Sequence, residues 1–456
     1  MNNQQAQPVS QLPGYITSAT PNPKDKRAPW YKNTAPTYAG VFLWFAFWDP
    51  ISKNGLSPGN LGATLAGVVL GALICHFLFF VVPGYLGMQT GLPLYIVGTS
   101  TFGAVGSLIM PGFLMGILQF GWLGVNTFYS ATALAEGFKA PGLFVPISII
   151  FALGAAFVGI KGIQYVAKVA TYLPIIPLLV LLFGLVLFGG SAGSYTSAPA
   201  ATGGGGFSAM LLMTGAIVGF FATAGAAGVD ICMTARDKKD VKLGGYIGIV
   251  VAIIFTAGIS VLAVAGARAA GIVDPSVARL TEAFGKKLSP GLFAAVMIGL
   301  TVAAFPGACF SSFIAANSFK TVMPKVNPFL SVGVGAIVSI ILAITGAAGN
   351  LASVFGLIGA SFGPICGAML VDYLLGSGKW SGPRAGFNPA GWISWALGFI
   401  VGILPNEMLP ASLRVDVPCA PVAAFIVGAV IYFLCAKMGM LSPVVPVSGA
   451  LAEAKK

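Results

Sequence analysis

Twelve long apolar runs limit what this chain can fold into. Each run is long enough to cross a bilayer as a helix, which takes about 20 residues. The runs are continuously apolar, whereas the strands of a membrane barrel alternate apolar and polar residues over about ten positions. The sequence therefore predicts an all-α integral membrane protein with 12 transmembrane helices, at roughly 37–56, 60–84, 104–133, 142–160, 168–189, 208–232, 243–268, 290–316, 328–347, 350–375, 391–409 and 420–438.

The scarcity of charge excludes the main soluble classes. Of the 456 residues, 57% are hydrophobic and only 8% are charged, whereas soluble domains carry about 25% charged residues. So few charges cannot cover a water-exposed surface of this size. Soluble enzymes, disordered chains and nucleic-acid-binding proteins are therefore excluded, although a net charge of +12 taken alone would suggest nucleic acid.

The basic residues predict the orientation in the membrane. If the N-terminus is cytoplasmic, 17 of the 24 Lys and Arg residues fall in cytoplasmic segments. Cytoplasmic loops carry such an excess of basic residues. We therefore expect a multi-pass protein of the plasma membrane with both termini in the cytoplasm.

A Gly/Ser-rich segment without charges divides the first ten spans into two groups of five. Because five is odd, the second group enters the membrane with the opposite orientation, as in inverted repeats of transporters. The predicted organisation is an N-terminal tail (1–36), a first five-helix repeat (37–189), an outer loop (190–207), a second, inverted five-helix repeat (208–375), two C-terminal helices with the preceding loop (376–438) and a cytoplasmic tail (439–456).

The first span of each predicted repeat carries residues that interrupt helices. Asp49-Pro50 interrupts the first span, and four glycines precede Asp230 in the sixth. Interrupted helices at matching positions often mark a transporter's binding site, and acids inside membranes are costly and often functional. Asp49 and Asp230 are therefore candidates for cation coupling. The alternatives are that the small residues serve helix packing and that Asp230 lies at the interface beside Arg236.

The third span presents a polar face. Gln119, Trp122 and Asn126 are spaced i, i+3 and i+7, which places them on one side of a helix. Amides donate and accept hydrogen bonds, and an indole offers a face for stacking. This chemistry suits a planar, polar, uncharged heterocycle. The alternative is that the amides bond to neighbouring helices and that Trp122 fills a groove.

Three residues of the sixth span, Phe220, Phe221 and Thr223, lie just before two of its glycines. An aromatic ring here would close a stack opposite Trp122, although a core or lipid-facing position is the alternative. The single histidine, His76, and the scattered cysteines predict no metal site beyond one for sodium. A nucleophile, a metal cluster and an acid–base pair are all lacking, so we expect neither an enzyme nor a cofactor.

Several motifs together resemble the nucleobase–cation symporter family of the purine–cytosine permease type. They are GLSPGNLGATLAGVVLGALICHF (55–77), QFGWLGVN (119–126), GFFATAGAAGVD (219–230) and GASFGPICGAMLVDYLL (359–375). The resemblance implies a LeuT-like 5+5 inverted repeat plus two additional helices. It also implies uptake of a nucleobase such as cytosine or a purine, coupled to protons or sodium, by alternating access. The alternative substrates are related heterocycles: allantoin, hydantoin or the thiamine precursor hydroxymethylpyrimidine.

The resemblance also implies roles for individual residues. Trp122 would stack on the base, while Gln119 and Asn126 would hydrogen-bond its edge. Phe221, next to Phe220, would stack on the other face, and Thr223 would take the place of a ligand-binding group. Ser311 and Ser312 would supply hydroxyls for the cation in the eighth span, where Phe305 departs from the family's asparagine. The expected partners are a small neutral heterocycle, a coupling cation and the lipid bilayer, with no nucleic acid and an oligomeric state left open.

Overall fold

The computed structural model describes residues 12–33, 44–162, 173, 175–196, 205–274, 278–449 and 451–452. The predicted start of the first span at 37–43, most of 168–174 in the fifth, and residues 197–204 of the outer loop lie outside these residues. Within them, nine helices are long and apolar enough to cross a membrane, and two shorter apolar helices accompany them.

Twelve helical elements follow the order of the predicted spans. They are α1 (Trp48–Pro50, continued by a π-helical turn, Ile51–Leu56), α2 (Leu61–Thr90), α3 (Leu108–Gly137), α4 (Pro141–Lys161), α5 (Ile175–Ser194), α6 (Gly206–Ala226), α7 (Lys238–Ala269), α8 (Pro290–Val322), α9 (Pro328–Ile344), α10 (Leu351–Leu375), α11 (Pro389–Ile403) and α12 (Ala420–Lys437).

The first and sixth spans are both irregular: the first turns just before the predicted Asp49-Pro50, whereas the sixth breaks between Gly225 and Gly228, among the predicted glycines. In the first, the chain turns at Ala46 and Phe47, and α1 begins only at Trp48. Pro50 lies in the first turn of α1, where a missing backbone N–H costs no hydrogen bond. In the sixth, α6 ends at Ala226 and a short helix, Gly228–Cys232, follows.

The second helices of the two predicted repeats share an irregularity. Both α2 and α7 contain a π-helical turn, at Cys75–Phe80 and Tyr246–Val251 respectively. The two turns lie close to each other: the ring centroids of His76 in the first and Tyr246 in the second are 6.1 Å apart. Such turns occur frequently at functional sites, and here one lies in the second helix of each predicted repeat.

The N-terminal segment 12–33, called the strap below, lies across one end of the helices. Asn22 accounts for two of its contacts: its N–H donates to Gly91 O (2.8 Å) and its Nδ2 to Met233 O (3.3 Å). Arg27 Nη1 donates to Met88 O and also to Ala235 O, the latter at 3.4 Å. The strap thereby donates to carbonyls at, or just beyond, the ends of α2 and of the helix Gly228–Cys232, where intrahelical partners run out. The end where it lies is called the strap face.

The ends of α10 and α12 join through a buried network at the same face. Arg384 Nη2 contacts Asp372 Oδ1 at 3.3 Å, and the Tyr432 hydroxyl donates to the same oxygen at 2.9 Å. Arg384 also donates to Ser100 O (2.8 Å) and Ser442 O (3.0 Å). Part of the predicted tail 439–456 is therefore packed into the protein.

The opposite face is covered by the helix Leu280–Lys287. Its Phe284 is fully buried, with its ring 5.4 Å from Phe188 and 6.5 Å from Trp48. An Arg268 guanidinium at the end of α7 donates to Ser52 O at 2.9 Å. These contacts fasten α1 to α5 and α7 on the side away from the strap.

Candidate substrate cavity

A cavity enclosing about 1070 Å³, its opening included, lies between α2, α3, α6, α7 and α8. Its polar lining residues are Gln119, Asn126, Thr223, Thr256 and Ser311, and its aromatic ones are Trp44, Phe80, Trp122, Phe220, Phe221 and Phe310. The rest of the described lining is aliphatic or glycine, so none of the described lining residues is charged.

The three residues predicted on one face of the third span form one wall. Gln119, Trp122 and Asn126 are all buried and all line the cavity. Asn126 Nδ2 donates to Trp122 O at 2.8 Å, which fixes the amide's orientation and leaves Oδ1 as an acceptor. Gly307 faces that oxygen, since a Cβ there would lie 3.3 Å from it.

The Trp122 indole is held from several sides. Its ring lies 5.6 Å from Phe220 in an edge-to-face arrangement and 5.5 Å from Phe355 at 35°. Its Nε1 donates to Thr223 Oγ1 at 3.3 Å. Phe355 in turn stacks on Phe47 at 5.2 Å. The ring is thus a fixed platform at the end of the cavity nearer the opposite face.

The cavity extends from this aromatic cluster toward the strap face. Ile231 and Ile314 belong to its lining and lie near the strap-face ends of the sixth span and α8. On the other side, the Phe47–Phe355 stack and the buried Phe284 lie between Trp122 and the opposite face. The protein is therefore closed toward the opposite face.

The predicted cation-coupling residues are spread over the molecule. Ser311 lines the cavity, whereas Ser312 donates to Ala308 O at 3.0 Å and is not in the lining. Asp49 pairs with Lys53 at 2.9 Å and accepts from Ala278 N at 3.3 Å. The structure brings together the six predicted substrate residues and Ser311, but leaves Asp49 out.

Asp230 also lies outside the cavity. Its Oδ1 accepts a hydrogen bond from Leu94 N at 3.0 Å, at the start of the short helix Leu94–Val97. The carboxylate thereby connects the end of the sixth span to the chain between α2 and α3. Arg236, six residues further along the chain, pairs with Asp240 at 2.6 Å.

Sequence reasoning missed part of the lining. The wall from α7 (Gly248, Ile249, Ala252, Ile253 and Thr256) and Phe80 of α2 were not predicted. Gly248 and Ile249 lie in one π-helical turn, and Phe80 ends the other. In the sequence these residues belong to uniformly apolar runs, so only the three-dimensional packing identifies them.

The chain matches the sequence model of one family over residues 21–381, described as permease for cytosine/purines, uracil, thiamine, allantoin. It is also 23% identical over 389 residues to the cytosine permease of Escherichia coli (strain K12), covering 82% of each chain.

Solved structures are similar over almost the whole chain. An inward-facing conformation of Mhp1 has a TM-score of 0.70 at 18% identity, with 98% of each chain covered. Mhp1, a nucleobase-cation-symport-1 family transporter, in a closed conformation with bromovinylhydantoin bound, has a TM-score of 0.66 at 17% identity, covering 96% of this chain and 98% of that one. A substrate-bound, outward-open Na+-coupled sialic acid symporter gives 0.60 at 14%, covering 95% and 93%. These likenesses confirm the predicted fold class.

Proposed function

The chain belongs to the family of permeases for cytosine/purines, uracil, thiamine and allantoin, and we propose that it imports a nucleobase such as cytosine or a purine. Import is coupled to a proton or sodium gradient and proceeds by alternating access. The observation that carries this proposal is the cavity, in which an aromatic platform lies beside amides and hydroxyls without a charged group among the described lining residues.

The lining matches the chemistry of a neutral base. Trp122 offers a ring face for stacking, and each stacked base contributes roughly 1–3 kcal/mol. Gln119 and Asn126 hydrogen-bond the ring edge, with the Asn126 oxygen accepting from a ring N–H. Phe221, also in the lining, covers the other face. A buried amide rejects ligands that would leave it unpaired, so selectivity comes from the α3 wall.

Cation coupling requires that the ion bind one conformation better than the other. We assign the ion's hydroxyl ligands to Ser311 and Ser312, next to the cavity on α8. Asp49 and Asp230 stay candidates for proton coupling from outside the cavity. The likeness to Mhp1 and to a Na+-coupled symporter supports coupling to a cation.

The alternative is a cation-coupled carrier of a related heterocycle: allantoin, hydantoin or hydroxymethylpyrimidine. The family description includes thiamine and allantoin beside the nucleobases. Allantoin, hydantoin and hydroxymethylpyrimidine have polar edges and, unlike thiamine itself, lack a fixed charge, so the cavity accommodates them by the same chemistry. They differ in ring size and in the position of N–H groups, which a competition assay resolves.

Uptake into proteoliposomes tests the proposal. Radiolabelled cytosine and hypoxanthine are offered under an imposed sodium gradient, an imposed proton gradient, or neither. We expect accumulation above equilibrium with one of the gradients and competition by one group of heterocycles. Asn126→Leu should weaken uptake while Thr127→Val, a buried neighbour outside the lining, leaves it unchanged. Equal uptake with and without gradients would contradict coupling to a cation. If no nucleobase and none of the related heterocycles reduced the uptake of the labelled compound, the proposed substrate class would be contradicted.

A further inference from the structure

Six lysines lie on one surface formed by the strap and the first turns of α7. They are Lys24, Lys26 and Lys32 of the strap and Lys238, Lys239 and Lys242 of α7, and all are exposed. We propose that this surface, the basic platform, binds the headgroups of anionic phospholipids and that this binding keeps the strap docked.

Hydrogen bonds make the two parts of the platform one surface. Trp30 N donates to Asp240 Oδ1 at 3.0 Å, and Ala28 N donates to Thr234 O at 2.8 Å. Residue 28 also pairs with Ala235 as an isolated parallel bridge. The strap lysines and the α7 lysines, which flank these contacts, are therefore exposed on one continuous surface of the protein.

The acidic residues of this region do not cancel its charge. The Asp240 carboxylate is buried and accepts hydrogen bonds from Arg236 and from Trp30 N, so its negative charge is paired inside the protein. Within the described part of this region, Asp25 and Asp237 are the exposed acids, against six lysines. The platform therefore keeps an excess of positive charge, which attracts anionic headgroups.

The platform lies at the depth of the headgroups. Tyr246, Val251 and Phe255 of α7 are 46%, 43% and 52% exposed and form a lipid-facing row. Tyrosine is enriched where such a row meets the interface, and Lys242 lies one helical turn beyond Tyr246. On the strap, Tyr31 is 61% exposed beside Lys32. The lysines thus reach the phosphate groups while both tyrosines border the hydrocarbon.

This placement links lipid composition to the docking of the strap. Headgroup phosphates that bridge strap lysines and α7 lysines add attraction between the two segments. They also offset the repulsion among the six positive charges. Without anionic lipid that repulsion acts against the docked strap, so the segment opens more often.

Hydrogen exchange of strap amides measures this docking. The full chain is placed in nanodiscs of phosphatidylcholine alone or of equal parts phosphatidylcholine and phosphatidylglycerol. We expect residues 20–32 to exchange about tenfold more slowly with phosphatidylglycerol. The variant K238Q/K239Q/K242Q, in which the strap itself is intact, should lose this difference, and K24Q/K26Q/K32Q should lose it as well.

The matched control is K320Q/K325Q, which removes two exposed lysines at the strap face outside the platform and should keep the lipid effect. Equal exchange in the two lipids would overturn the proposal. So would an unchanged effect in the α7 variant or an equal loss in the control. Soluble glycerol phosphate added to phosphatidylcholine discs should give no protection, and full protection by it would replace the lipid surface with a site for free phosphate.

Discussion

Trp122 shows how packing fixes a single side chain of the proposed substrate site. Phe220 and Phe355 pack against its indole, and Thr223 accepts its N–H. The ring therefore has few ways to reorient when the cavity is empty. A platform fixed in advance loses little conformational freedom when a ligand stacks on it, so under the proposed stacking role the contacts around the indole would contribute to affinity without touching the ligand.

Trp122→Ala should reduce substrate affinity by roughly tenfold or more, because stacking on an aromatic ring contributes about 1–3 kcal/mol. Trp122→Phe retains a ring and should recover part of the loss. Binding to purified protein and uptake by proteoliposomes both measure the effect. Trp395→Ala is the control, since that tryptophan stacks on Phe399 outside the cavity lining. Near-normal affinity of Trp122→Ala would contradict the stacking role.

The sequence predicted the α3 wall because helical spacing alone places Gln119, Trp122 and Asn126 on one face. It did not predict Phe355 or Phe47, which support the indole. A phenylalanine in an apolar span reads the same whether it faces lipid, the core or a ligand. Only contacts between segments that are distant in sequence distinguish these cases, and such contacts cannot be predicted from a local sequence pattern.

At the scale of elements, the strap depends on a glycine at the end of α2. Gly91 has φ +64°, and a Cβ there would lie 2.9 Å from both Arg27 Nη2 and Asn22 N. The second of these atoms belongs to the backbone and cannot move aside easily. The end of α2 and the strap are therefore fitted to each other through this residue.

Gly91→Ala should destabilise the protein more than Gly271→Ala. Both positions have nearly the same backbone strain, with φ +64° and +66°, but nothing lies within 4 Å of a Cβ at Gly271. The left-handed conformation costs alanine about 1–2 kcal/mol at either position, so the difference isolates the contact with the strap. Thermal unfolding in detergent measures it, and equal shifts in the two variants would contradict the fitted strap.

A buried salt bridge joins α10 to the loop that follows it. Asp372 and Arg384 side chains are only 4% and 9% exposed. Removing one partner leaves the other charge buried, which costs roughly 3–5 kcal/mol. Removing both avoids that penalty.

Asp372→Asn and Arg384→Leu should each lower the unfolding temperature strongly, and the double variant should lose less than the two single losses combined. Thermal unfolding of the four proteins gives this coupling directly. If the losses added, the two side chains would be independent and the pair would not hold the loop.

The sequence predicted most helices and the irregular first and sixth spans, but not the π-helical turns within α2 and α7. Continuous apolar runs determine which segments are helical, whereas the π-helical turns of α2 and α7 contain no proline that would signal them. The turns depend on how the two helices pack. The shorter α11, which ends at Ile403 instead of near 409, likewise reflects a turn at Leu404 and Pro405 within an apolar run.

At the scale of the whole molecule, both terminal segments lie at the strap face. The strap binds Gly91 through Asn22 N, and Ser442 O accepts from Arg384, which also binds Ser100 O. Both terminal segments are thus connected to the chain between α2 and α3, the first through Gly91 and the second through Arg384 and Ser100. An even number of membrane crossings between the described segments 12–33 and 439–449 follows from this arrangement, in agreement with the twelve predicted spans.

Reporter fusions at the C-terminus test which side this is. Basic residues are concentrated on the strap side, so we expect that side to be cytoplasmic. Green fluorescent protein fused to the C-terminus should therefore fluoresce, and alkaline phosphatase fused at the same place should stay inactive. A fusion within the helix Leu280–Lys287, on the opposite face, should give the reverse result. Phosphatase activity at the C-terminus would place the strap face outside and overturn the proposed orientation.

The strap also has a consequence for how the protein is made. Asn22 and Trp30 leave the ribosome early, yet their partners Met233 and Asp240 follow 211 and 210 residues later. During synthesis the strap can contact only the end of α2 and the segment between α2 and α3, through Tyr15, until the sixth span and the start of α7 have been inserted. The strap is thus secured only after the 210 residues that separate Trp30 from Asp240 have been synthesised, and its closure marks a chain whose second repeat has begun to insert.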